Sequence, residues 1–91
     1  DGAAVLAVEG DLVFDTVPQL FDAFRSVAET DSVRIVFSDL GELDLSGLQL
    51  LYSIKLERSN AGTAFAVEGD EALRRLGRMA EFAGLPQLKE E

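Results

Sequence analysis

One hydroxyl, Ser46, stands where an apolar helix should begin, in the run Asp44-Leu45-Ser46-Gly47-Leu48. With Gln49 three positions later it reads as a capping box, in which the serine oxygen accepts from a free amide of the first helical turn. The same place suits a phosphate, because a helix start offers unpaired N–H groups and the positive end of the helix dipole. On the residues alone, cap and phosphoacceptor both stand open. The other side chains capable of chemistry are carboxylates and arginines. Asp11, Asp15, Asp39, Glu42 and Asp44 gather in loops at one end of the expected sheet. They lack the fixed ligand spacing of a metal site and the fixed separation of a hydrolytic pair, so solvated loop charge is expected and no metal site. Arg74, Arg75 and Arg78 are interrupted by Asp70, Glu71 and Glu81, the pattern of a surface helix of mixed charge. No glycine arrangement matches a phosphate-cradling loop.

The sequence has no Cys and no His, which removes thiol nucleophiles, Ser-His-Asp catalysis, Cys/His zinc sites and disulfides together. No catalytic residue and no cofactor are expected; the enzymatic alternative is a small carboxylate-dependent activity. A formal net charge of −9 argues against nucleic acid as a partner, since that affinity comes mainly from Lys and Arg on phosphates. No apolar run approaches the roughly 20 residues that span a bilayer, and the start does not read as a signal peptide, so the expected address is the cytoplasm without direct membrane insertion.

These residues need elements to position them. Short strands are expected at Ala3 to Glu9, Val33 to Phe37 and Thr63 to Val67. A first helix carries Val17, Leu20, Phe21, Phe24, Val27 and Ala28 at helical spacing, with Pro18 in its first turn behind Thr16 or Val17 as cap. The second runs from about Ser46 to Asn60 and stops at Ala61-Gly62. The third starts behind Asp70, turns Leu73, Leu76, Met79, Ala80 and Ala83 inward and stops at Gly84-Leu85-Pro86. Alternation of strand and helix predicts an α/β fold, a small sheet with largely parallel neighbours and the helices packed on one face. With 91 residues and 47% hydrophobic content, residues 1–91 are expected to form a single domain that includes a polar tail at Lys89-Glu90-Glu91. The expected core holds Val33, Ile35, Phe37, Leu50, Leu51, Ile54, Leu73 and Leu76.

Gly10-Asp11-Leu12 after the first strand, Thr16 at the first helix, Leu43-Asp44-Leu45-Ser46-Gly47-Leu48-Gln49-Leu50-Leu51 and Ala83-Gly84-Leu85 together resemble the STAS domain, shared by sulfate transporters and anti-sigma factor antagonists. The likeness implies a further strand ahead of Ala3, so the edge of the first strand should stand exposed or pair with residues that precede this sequence. It also implies a phosphorylation-controlled protein-binding module in bacterial signalling. In that family the Ser before the Gly is phosphorylated by a partner Ser/Thr kinase and dephosphorylated by a phosphatase, a role that falls on Ser46. The partner so implied is an anti-sigma factor or serine kinase, or a chemotaxis-type signalling protein. Acids common in the sporulation-type antagonists fall on Val13 and Val36 here, a departure from that branch. Gln49-Leu50-Leu51 and Lys55 look more like the branch accompanying chemotaxis-type systems. A third branch serves as the cytoplasmic accessory subunit of a lipid-transporting ABC system.

On a helical wheel with Ile54 inward, Gly47, Leu50, Leu51, Arg58 and Ala61 lie within about 60° of it, while Tyr52 and Leu56 point almost opposite. Tyr52 and Leu56, beside Gln49 and Ser53 on the helix that Ser46 opens, therefore form a candidate docking patch. The expected partner-binding residues are Asp44, Leu45, Ser46, Gln49, Tyr52 and Leu56. Arg58 is expected to bury its stem and send its head past the helix end.

Overall fold

The computed structural model describes residues 2–86, so the Lys89-Glu90-Glu91 tail lies outside the described residues. The chain runs β1 (Ala3–Leu12), α1 (Val17–Ser26), β2 (Ser32–Leu43), α2 (Leu45–Ala61), β3 (Ala64–Glu68) and α3 (Asp70–Phe82). The three strands form one parallel sheet in the order β1-β2-β3. Parallel neighbours in sequence order require a crossover each time, and α1 and α2 supply them. All three helices pack against the sheet, with α2 touching both α1 and α3.

Side chains alternate along β2 because a strand has a period of two. Val33, Ile35 and Phe37 are buried under the helices, whereas Arg34 and Ser38 are exposed on the other face. There Arg34 pairs with Glu68 at 2.9 Å beside exposed Val5 and Ala7. Leu12, Leu20, Phe24, Leu48, Leu51, Ile54, Ala72, Leu76 and Ala80 complete the core. The expected core members Leu50 and Leu73 are only half-buried, and Ala61 and Ala83, expected inward, are exposed. Both alanines sit at helix ends, where the chain is already leaving the packed layer.

Strands β1 and β2 run further than the sequence pattern suggests. Beyond Phe37 the register slips twice, from Val8↔Phe37 to Gly10↔Leu40 and then to Leu12↔Leu43, so each time β2 spends three residues where β1 spends two. Such bulges bend a strand and re-aim the chain beyond them. Asp39 lies in the first of them at φ 57°, a left-handed conformation that Asp tolerates better than most residues. Asp11 holds the bulged end by accepting from the Glu42 amide at 2.8 Å. Arg75 of α3 holds it from the other side, donating to the carbonyls of Leu40 at 3.0 Å and Gly41 at 2.6 Å. The result delivers Asp44 onto the end of β1, where its amide donates to the Leu12 carbonyl at 3.3 Å.

The opposite end of the sheet is tied by Arg58, whose head was expected in water. It is instead 2% exposed. Its guanidinium donates to the carbonyls of Ala28, Thr30 and Ala64 at 3.0–3.2 Å, joining the α1–β2 connection to the start of β3. Three converging carbonyl dipoles offset the cost of burying the cation, so the head has no need to reach water.

Candidate functional site

The first turn of α2 departs from the capping box. Asp44 is the N-cap, with φ −126° and ψ 179°, and its Oδ1 accepts from the amides of Ser46 at 2.9 Å and Gly47 at 3.3 Å. Ser46 thus sits inside the helix and contributes an amide to the cap, where an oxygen was expected. A carboxylate is also the better group for the positive end of the helix. The half-buried Ser46 side chain is therefore released from capping, and among the described residues its hydroxyl makes no hydrogen bond. Gln49 is exposed.

The same carboxylate performs a second task. Asp44 Oδ2 accepts from the Phe14 amide at 3.0 Å, so one side chain ties the β1–α1 connection to the start of α2. Gly47 allows the two to close up: a Cβ there would lie 2.7 Å from the Leu12 carbonyl oxygen and against its side chain. Roles within Asp-x-Ser-Gly-Leu can now be assigned. Asp caps and ties, Ser keeps an uncommitted hydroxyl, Gly permits the approach to β1, and Leu48 enters the core with no exposure.

Two exposed apolar residues belong to the segments that Asp44 joins at Ser46, among exposed Asp15, Glu42 and Gln49. Leu45 is 45% exposed and Phe14 is 74% exposed, both held beside Ser46 through Asp44. Phe14 is absent from the residues selected on sequence grounds. Its signal was weak, a lone aromatic in a connection whose partner lies 30 residues away. Thr16 occupies the N-cap position of α1 without a side-chain capping bond. Its hydroxyl accepts from the Val13 amide at 2.9 Å and donates to the Asp11 carbonyl at 2.9 Å, closing the loop that presents Phe14.

The far end of α2 divides the second candidate patch. Leu56 is 62% exposed, as its wheel position implies. Tyr52 is half-buried against the core, and its buried hydroxyl has no hydrogen-bond partner among the described residues. The wheel treated α2 as packed on one side only, but a helix flanked by α1 and α3 buries its sides as well. Loss of hydration raises the Tyr52 pKa above the ordinary phenol value of 10.0.

The acidic loop residues do not assemble into a centre. Asp11 and Asp44 both spend oxygens on backbone amides, and among the described residues no group of three or more His, Cys, Asp or Glu side chains could hold a metal ion. No helix of the described residues is long and apolar enough to cross a membrane.

A parallel three-stranded sheet with helices on one face, and an uncommitted serine in the first turn of the helix that follows its middle strand, are consistent with an α/β domain of the STAS type. The model of the family described as "Mlab, STAS domain" matches residues 1–90, and the chain belongs to that family. No match was found among the curated proteins or among the solved structures.

Proposed function

We propose that this STAS domain is a protein-binding module of bacterial signalling, resembling the anti-sigma factor antagonists, and that a partner Ser/Thr kinase and phosphatase switch it at Ser46. The observation that carries the reading is the division of labour in the first turn of α2: Asp44 does the capping, which leaves the Ser46 hydroxyl free beside exposed Phe14 and Leu45. Unmodified, the domain contacts its partner through Phe14, Leu45, Ser46, Gln49 and the exposed side of α2 at Leu56, with Asp44 holding the surface in shape.

A phosphate on Ser46 brings about −2 charges beside exposed Phe14 and Leu45 and next to the Asp44 carboxylate. It competes with Asp44 for the amides of Ser46 and Gly47, and any loosening of Asp44 reaches Phe14 through their shared hydrogen bond. Partner release then results from desolvation cost and from displacement of an anchor. Incubation with ATP and a Ser/Thr kinase that co-purifies with the domain, read by peptide mass spectrometry, should add one phosphate at Ser46. A phosphate found reproducibly elsewhere while Ser46 stays bare overturns the assignment.

The description of the matching family, which carries the name Mlab, favours a second reading. In it the domain is the cytoplasmic accessory subunit of a lipid-transporting ABC system, and the same surface docks on a transporter component. Co-purification with a permease and an ATPase supports this reading, and co-purification with a kinase or response regulator supports the first.

A further inference from the structure

Phe14 stands 74% exposed in the β1–α1 connection, yet its backbone is pinned. Its amide donates to Asp44 at 3.0 Å, and the Thr16 hydroxyl spans the loop around it, donating to the Asp11 carbonyl and accepting from the Val13 amide. An exposed ring on a pinned loop loses little further backbone freedom on binding, so it is pre-organised as an interface anchor. Its surroundings are acidic. The two segments that meet here, residues 11–16 and 39–46, hold five of the seventeen Asp and Glu residues and none of the eight Lys and Arg, so they carry five of the nine net negative charges. Bonds from Asp11 to the Glu42 amide and from Asp44 to the Phe14 amide keep the segments side by side, with Asp11, Asp15, Asp39 and Glu42 exposed. Arg75 and Arg78 of α3 come near, the first bound to the carbonyls of Leu40 and Gly41 and the second sharing a groove with Leu43, and the acids remain in excess.

We propose that this corner docks a protein partner whose surface is an apolar pocket with a basic rim, Phe14 and Leu45 entering the pocket and the partner's lysines or arginines meeting Asp15, Asp39 and Glu42. The inference rests on the reading that the Ser46 surface binds a protein, and it names the chemistry of that protein. The sign of the charge selects the occupant. A second copy would set five carboxylates against the same five, and nucleic acid or an anionic lipid surface would be repelled in the same way. A partner without cations would leave the rim carboxylates desolvated and unpaired at the contact. A phosphate on Ser46 has the same sign as the rim, so it leaves the attraction in place and acts on the Phe14 anchor through Asp44. The phosphorylated domain therefore meets its partner as quickly and leaves it sooner.

The test is equilibrium and stopped-flow anisotropy with a labelled peptide carrying arginines on either side of a central Leu-Leu pair, with amide shift mapping of the bound protein. Saturable binding is expected, weakened about tenfold by Phe14→Ala and about fivefold by Asp15→Lys or by Glu42→Lys, each variant checked for native circular dichroism. Glu29→Lys makes the same change of charge at the opposite end of the sheet and should stay within about twofold. Shifts should cluster at Phe14, Asp15, Glu42 and Leu45, and glutamates in place of the arginines should abolish binding. Phosphoserine at position 46 should speed dissociation without slowing association. The proposal is overturned by equal weakening in Glu29→Lys, by unchanged affinity in Phe14→Ala, or by shifts centred away from Phe14. If the charge and Phe14 variants behave as expected while phosphoserine changes neither rate, the docking stands and the Ser46 switch fails. If phosphoserine weakens binding while Asp15→Lys and Glu42→Lys do not, the switch stands and the basic partner is overturned.

Discussion

Asp44, not Ser46, should govern the stability of the α2 start. Asp44→Ala removes a helix cap, an effect of about 0.5–2 kcal/mol, and also strands the Phe14 amide. Ser46→Ala removes a hydroxyl that supports nothing and should stay within about 0.5 kcal/mol. Urea denaturation of the two variants separates them, and equal losses would mean that the serine oxygen caps after all. Tyr52 gives a second residue-scale expectation. Because its pKa is raised in the fold, the neutral phenol is favoured there, so its contribution is fully present below the unfolded value near 10 and is lost as pH rises through the folded value. Stability should therefore fall above about pH 10, and Tyr52→Phe should flatten that fall while costing little at neutral pH, because it removes a buried hydroxyl that has no partner. Denaturation midpoints of both proteins on either side of pH 10 supply the check.

At the scale of elements, α2 carries the clearest contrast. Leu51 is fully buried and Leu56 largely exposed, so Leu51→Ala should cost about 2–5 kcal/mol and Leu56→Ala no more than about 0.5 kcal/mol. Arg58→Ala should rank with the core, since it leaves the carbonyls of Ala28, Thr30 and Ala64 without their donor at about 1–3 kcal/mol for each one left unsatisfied. Equal denaturant midpoints for Arg58→Ala and Leu56→Ala would refute that. These same residues mark what the sequence could tell. Strand and helix order, the β2 core trio Val33, Ile35 and Phe37, and the Gly62 and Gly84 stops come from periodicity and backbone preference, which are local. Arg58 and Tyr52 were misread because their surroundings come from distant chain or from helices on both flanks. The cap was assigned to Ser46 in place of Asp44 two residues earlier, a choice between neighbouring capping residues in which only the bond to Phe14 is long-range. The bulges of β2 were hidden for a related reason: the strand pattern stops at Phe37 and places Asp39 and Glu42 in a loop, and pairing with β1 and anchoring by Asp11 and Arg75 keep this stretch in the sheet.

Across the described residues, helices cover one face of the sheet, one tied corner presents Ser46 with Phe14 and Leu45, and Arg75 fastens α3 to the bulged end of β2. The resemblance that singled out Ser46 depended on a short run of residues, and the fold supplies a physical reason for Asp44, Gly47 and Leu48 within it. The most direct measurement of the central claim is a calorimetric titration of a partner that co-purifies with this domain against the unmodified domain and against the same domain phosphorylated at Ser46. The account predicts that phosphorylation weakens binding at least about tenfold, a difference of about 1.4 kcal/mol, and that Phe14→Ala weakens the unmodified form in the same direction. Equal affinity of the two forms, with Phe14→Ala also without effect, would contradict it.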